Sequence, residues 1–233
     1  MFTLKLANIP VTVNNRFTLV EEVSRDYHTT ESGEFFVEVT DSDIKNSRSM
    51  ADEQFGDDYH ESLSVYRKIA EKLPHYDAFL FHGSVIEYEG KAYIITANSG
   101  VGKTTHTRLW LSEFGDNVSI INGDKPIVRF IDGIPFACGT PWQGKENLGK
   151  NDMKPIGGIA FLERGVENRA GTISPDEAII RFMKQIYLPK TDPTALKKTL
   201  ALSNRILNSV RLVRLECNMN PEAAHVSKEA LIN

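Results

Sequence analysis

Apolar and polar residues alternate at the start of the chain. Phe2, Leu4 and Leu6 interleave with Thr3, Lys5 and Ala7, the period of a half-buried strand. Residues 9–13 read as its hairpin partner, with Pro10 best accommodated on a sheet edge. Phe35, Val37 and Val39 alternate again and predict a third strand near 34–40. Residues 41–58 are polar and acidic without a clear period, and read as a loop or a weak helix. Leu63, Tyr66, Ile69, Ala70 and Leu73 share one face at helical spacing, so a helix is expected from a cap at Asp58 to Leu73, ended by Pro74.

The texture changes at Asp77. Residues 78–81, 84–88 and 92–96 are three short strand-like runs, the second turned into the third by Glu89-Gly90. Residues 118–121, 127–131 and 156–162 add further strands. Ser174, followed by Pro175 and by Glu177 three positions on, has capping-box spacing and predicts a helix to about Tyr187. Leu196, Leu200, Ile206, Leu207 and Val210 continue a helical stripe, residues 212–215 read as a strand, and Asn220-Pro221 opens a terminal helix. No internal repeat is visible. The expected organisation is a small α+β unit over 1–75 and a larger α/β unit over 76–233.

Composition narrows the function classes. With 41% hydrophobic and 25% charged residues over 233 positions, the chain has an ordinary globular make-up. A net charge of −4 gives no global reason to coat a nucleic acid. Cys138 and Cys217 match neither a disulfide framework nor a zinc-ligand spacing, and read as free thiols in a reducing compartment. Residues 1–14 lack the features of a signal peptide, and no apolar run approaches the roughly 20 residues that span a bilayer. The expectation is a soluble cytoplasmic protein with neither a membrane nor a nucleic-acid partner.

The chemistry concentrates in residues 97–104, Ala-Asn-Ser-Gly-Val-Gly-Lys-Thr. This is the phosphate-loop pattern with Ala97 in place of its first glycine. An apolar strand precedes it and a helical run to Phe114 follows. Gly100 and Gly102 would let backbone N–H groups turn inward around phosphate oxygens. The helix adds its dipole and free donors. Asn98, Ser99, Gly100, Val101, Gly102, Lys103, Thr104 and Thr105 are therefore the candidate nucleotide-binding run. Lys103 would supply a point charge to the β/γ-phosphates, and Thr104 would offer its hydroxyl to Mg²⁺. Ala97 is compatible if that position keeps a negative φ. Asp124 ends a strand 21 residues after Lys103, where a second metal ligand belongs. His82 is a candidate to orient an acceptor hydroxyl. The polar loop 139–151 offers Lys145 or Lys150 to neutralise phosphate and Trp142 to stack on a ligand, and Arg164 could stabilise transition-state charge.

Four ordered blocks carry a family resemblance: Ser99 to His106, Asn122-Gly-Asp-Lys-Pro126, Gly139-Thr-Pro-Trp-Gln-Gly-Lys145 and Leu162-Glu-Arg-Gly165. Together with His82-Gly83 ahead of a strand hairpin, they resemble the catalytic domain of HPr serine kinase/phosphorylase, a fold related to phosphoenolpyruvate carboxykinase. The likeness is closer to a smaller HPr-kinase-like group. It leaves residues 1–75 unmatched. The resemblance implies a mixed α/β sheet around a phosphate loop, ATP and Mg²⁺ as cofactors, and a homo-oligomer. It also implies that His82 and Asp124 lie around the reacting phosphate, with Lys103 as a third catalytic group. One departure matters: relatives carry two adjacent aspartates where this chain has Gly123-Asp124.

The reading these features favour is an ATP-dependent kinase that moves a γ-phosphoryl group to a hydroxyl of a protein, a peptide or a small molecule. The competing reading is a catalytically weakened nucleotide-binding scaffold or sensor, kept open by Gly123. A carboxykinase-type enzyme would need a larger substrate domain, and a nucleic-acid ATPase would need a basic stripe.

Overall fold

The computed structural model describes residues 1–50 and 55–232. The chain opens with β1 (Phe2–Leu6) and β2 (Ile9–Asn14), joined by Ala7 and Asn8, both left-handed at φ 48° and 60°. This two-residue turn matches the twist of an antiparallel hairpin. After α1 (Leu19–Val23), β3 (Phe35–Glu38) joins β2 in parallel, so β2 is central rather than an edge. Pro10 is tolerated because the β2–β3 ladder begins one residue later, at Val11 and Phe35.

The stretch expected to be a loop or weak helix contains α2 (Asp41–Ser49), stabilised by a reciprocal cap between Thr40 and Asp43. Residues 51–54 of that stretch lie outside the described residues. The next helix, α3 (Asp57–Lys72), is capped by Gly56 and not by Asp58, and a 3₁₀ turn over Leu73–Tyr76 follows it at Pro74. Its buried face is wider than the apolar spacing indicates. Glu61 is fully buried because its carboxylate accepts the backbone N–H groups of Arg16 and Phe17 at 2.7 and 2.9 Å.

The remaining strands are β4 (Ala78–Leu80), β5 (Ser84–Tyr88), β6 (Lys91–Thr96), β7 (Val118–Asn122), β8 (Ile127–Ile131), β9 (Ile134–Cys138), β10 (Met153–Arg164), β11 (Arg169–Thr172) and β12 (Arg211–Cys217). They form one curled mixed sheet in the order β4-β8-β9-β10-β6-β5-β7, with β12 on β10 and β11 on β12. The helices are α4 (Lys103–Phe114), α5 (Pro175–Met183), α6 (Pro193–Leu207) and α7 (Glu222–Ile232). Strands β9 and β11 have no counterpart in the periodicity. The first follows a hairpin turn at Asp132-Gly133, with φ 49° and 85°. The sheet curls at β10. Its first three residues pair with β9, then a bulge near Gly157 shifts its register on β6. A Cβ at Gly157 would fall 2.7 Å from the Tyr93 ring, so a larger residue at the bulge would have to displace that ring.

The Ser174 cap forms as expected, but α5 stops at Met183, short of Tyr187. Ile186 bridges instead to Phe81, pulling the chain out of the helix and onto the end of β4. In α6 the buried stripe is Ala195, Thr199, Leu202, Ser203 and Ile206, whereas Leu200 is exposed.

Helices α5 and α6 cover one face of the large sheet, and α4 and α7 cover the other. A third cluster joins β1–β3 and α3 to Leu80, Ile127, Cys138 and Trp142 of the large sheet and its loops. Among the described residues, no helix is long and apolar enough to cross a membrane.

The topology fixes where chemistry can occur. Strands β6 and β10 run parallel, and β7 runs the same way because both it and β6 are antiparallel to β5. The C-terminal ends of β6, β7 and β10 therefore share one edge with the N-terminal end of β5. Crevices outside the carboxyl ends of strands are where open α/β sheets place ligands.

Candidate functional site

The loop after β6 carries residues 97–102 into the start of α4. Gly100 and Gly102 lie at φ 77° and 130°, and a side chain built on either would meet nothing within 4 Å. Both glycines thus serve the backbone path and leave a concave open surface. Ala97 stays outside the left-handed region, which removes the objection to alanine there. The first helical hydrogen bond of α4 is donated by His106 N to Gly102 O. The N–H groups of Lys103, Thr104 and Thr105 precede it and have no intrahelical partner.

Lys103 is buried, and its ammonium makes one hydrogen bond among the described residues, to Ala97 O at 3.2 Å. An ammonium has three donors, so two remain unused. Burial holds the Lys103 pKa below its ordinary value, against the opposing pull of Asp124. An anion in the loop would relieve both deficits.

Asp124 sits two residues beyond β7. Its backbone N–H is fixed by Asn122 Oδ1 at 2.9 Å, and Asn122 is itself held by Thr140 Oγ1 at 3.0 Å. One carboxylate oxygen lies 3.2 Å from His82 Nε2, and the other is paired with the Lys125 ammonium. Burial pushes the Asp124 carboxyl up, but the hydrogen bond from His82 and the charge of Lys125 outweigh it and hold the group well below the usual carboxylate range.

His82 lies between β4 and β5. Its Nδ1 is 2.9 Å from Gln185 Oε1, and Gln185 Nε2 donates to Asn98 Oδ1 at 3.3 Å. Gln185 carried no sequence signal: it is one polar residue beyond a helix, brought in by the Phe81–Ile186 bridge.

A cavity of ≈ 460 Å³ brings together His82, Lys103, Thr104, Asp124 and Lys145, with Ser99 and Thr105 on its wall. Three other expected ligand contacts lie elsewhere. Trp142 is a core residue: 8% exposed, it donates to Ser62 Oγ at 3.1 Å and packs on Tyr66 with ring centroids 4.8 Å apart. It anchors its loop to α3 and does not face the cavity. Arg164 sits on the far side of the glycine loop, where it donates to Gly100 O and, at 3.1 Å, to Val101 O. Lys150 pairs with Asp152 at 3.1 Å. His106 is structural: buried, it shares Ser227 Oγ with Trp110 Nε1, each at 2.8 Å.

Gly123 has a role of its own. A side chain there would meet the backbone oxygen of Gln143 at 2.5 Å. The 139–151 loop therefore occupies the space that a second aspartate would need.

Among the described residues, no group of three or more His, Cys, Asp or Glu could by itself hold a metal ion. The cavity is lined by the Thr104 hydroxyl and by the carboxylates of Asp124 and Glu146, the latter paired with Arg108. That suits Mg²⁺, which takes few protein ligands and completes its shell with water and phosphate oxygens.

No family model matches the chain, and no curated protein matches it. Among solved structures it is similar to an HPr(Ser) kinase/phosphatase from Coxiella burnetii, with 11% sequence identity and a TM-score of 0.30 over 55% of this chain and 96% of that one. A likeness at that level carries no argument about function, which has to come from the site itself.

Proposed function

We propose that the chain is an ATP-dependent kinase that transfers a γ-phosphoryl group to a hydroxyl acceptor. The observation that carries this reading is Lys103, a buried and under-bonded cation at the mouth of an open glycine loop, facing Asp124 across one cavity. In this reading residues 97–104 are a phosphate loop, and the free N–H groups from Lys103 to Thr105 hold phosphate oxygens.

The acceptor oxygen forms a bond to the γ-phosphorus as the bond from that phosphorus to the bridging oxygen breaks. ADP leaves with the electron pair, and the hydroxyl proton passes late to an oxygen of the transferred phosphoryl group, while His82 and Asp124 orient the hydroxyl and balance charge. Phosphoryl transfer asks more for positioning and charge stabilisation than for a strong base. That fits Asp124, whose depressed pKa makes it a better charge partner than proton acceptor. Mg²⁺, held by Thr104 and Asp124, would supply neutralisation of phosphate charge. Lys145 reaches into the same cavity from the 139–151 loop and adds a second cation.

A scaffold or sensor that binds nucleotide without transfer is the second reading. Gly123 favours it, because the missing carboxylate cannot be accommodated without moving Gln143.

Isothermal titration of Mg·ATP and Mg·ADP into the wild type and Lys103→Ala tests the proposal. The expected result is wild-type binding weakened by about 100-fold or more in the variant, the loss of a buried charge-assisted contact. Absence of binding in the wild type would overturn the nucleotide reading. Binding without transfer to water or to any screened hydroxyl acceptor would leave the scaffold in place of the kinase.

A further inference from the structure

His82 is held by one segment at both its backbone and its ring. Its N–H donates to Gln185 O at 2.7 Å, and its carbonyl accepts from Thr96 Oγ1 at 2.8 Å. Its Nδ1 meets Gln185 Oε1 at 2.9 Å, and Nε2 faces Asp124. The Gln185 side chain is itself buried and fixed. Its backbone N–H donates to Phe182 O at 2.9 Å, and its amide nitrogen reaches Asn98 at the entry to the glycine loop. An imidazole bonded at one nitrogen can pivot about that bond. Bonded at both, it has one ring plane.

We propose that Gln185 is a positioning residue: it sets the ring plane of His82 and ties that ring, through Asn98, to the loop that would carry the phosphates. The tie is a statement about geometry in the free protein. Its effect on turnover rests on the kinase reading above. Outer partners that orient a working imidazole typically change activity by about 10–100-fold when removed. Glu at this position would keep an acceptor at Nδ1, because the Asn98 amide can turn its nitrogen toward the second oxygen. Leu would keep bulk and remove the bond, and Asn would withdraw the amide by one methylene.

The test uses Gln185→Leu, Gln185→Asn and Gln185→Glu in the full chain. The first readout is the His82 ring Cε1–H resonance in nucleotide-free protein, assigned with His82→Gln. The wild type and Gln185→Glu should each give one sharp signal. Gln185→Leu and Gln185→Asn should shift or broaden it. The second readout is steady-state consumption of Mg·ATP, with water as acceptor. The Leu and Asn variants should lose about 10–100-fold in kcat, with KM for Mg·ATP within about 3-fold of wild type, and Glu should recover most of kcat. An unmoved ring signal in both Leu and Asn overturns the proposal, as does an equal loss of kcat in all three variants. If Leu fails to fold, Asn and Glu decide between the same outcomes. If the wild type binds no Mg·ATP, the kinase reading fails separately, and the ring signal still decides whether Gln185 holds His82.

Discussion

Two glycine-rich loops meet over the same cavity, and they use glycine for opposite reasons. In the loop before α4, Gly100 and Gly102 have positive φ and empty space where a side chain would be. In the 139–151 loop Gly144 is also left-handed, at φ 79°, but at Gly139 and Gly149, and at the loop's contact with Gly123, protein fills the space of the missing side chain. A Cβ at Gly139 would fall 2.0 Å from Lys150 O, and one at Gly149 would fall 2.8 Å from Ile121 O. The first loop leaves open space beside its backbone at both glycines. The second is shaped to lie against its neighbours, with Trp142 driven into α3 as its anchor. Equal glycine content therefore says nothing about equal roles; what surrounds each Cα does.

The contrast can be broken at its strongest point first. Trp142→Ala should cost about 3–5 kcal/mol, as for other buried aromatic truncations, read as a lower denaturant midpoint. A midpoint near wild type would mean that the second loop is not anchored and that the two loops are alike. Gly123→Asp comes next. It should destabilise by about 1–3 kcal/mol because the new Cβ must displace a backbone oxygen, and it should not raise transfer activity. A fully stable variant that transfers faster would show that the second loop yields readily.

A pH titration of stability sharpens the other side, the helix that begins at the first loop. Burial lowers the His106 pKa to about 4. The unfolded chain then binds the extra proton, so stability is full at neutral pH and falls as pH drops from about 6.5 toward 4. The loss between pH 7 and pH 5 should be on the order of 1–2 kcal/mol, and His106→Gln should flatten it. A wild-type curve as flat as that of the variant would remove His106 from the account. The smallest effect belongs to Gly100→Ala. Space is available, so only the left-handed backbone is penalised, by about 1 kcal/mol. A cost larger than that of Gly123→Asp would invert the comparison.

Much of the fold was readable because local signals agreed. The alternation of Phe2, Leu4 and Leu6, the cap at Ser174 and the turn at Glu89-Gly90 each act over a few residues, and the structure contains the corresponding β1, α5 and β5–β6 hairpin. Strand β9 is equally signalled by Asp132-Gly133, but its Ile134-Pro-Phe-Ala-Cys138 run has no polar alternation to stand out by period. A tryptophan in a glycine-rich polar loop looks like a ligand platform, and only the packing of α3 beneath Trp142 makes it a core residue. Asp58 reads as a cap because its carboxylate is a good acceptor, but it lies inside α3 and bonds the next N–H, that of Tyr59.

Sequence alone determined the short-range features: the loop residues 97–104, the strand before them and the helix after them. These depend on φ preferences, capping groups and periodicity, all of which act within a turn or two. Tertiary structure alone decided that β5, β6, β7 and β10 bring their ends to one edge, that Gln143 fills the space beside Gly123, and that Gln185 meets His82 across 103 positions of chain. Such contacts follow from which apolar faces bury against which, and a polar residue such as Gln185 carries no periodic mark of the neighbour it will meet.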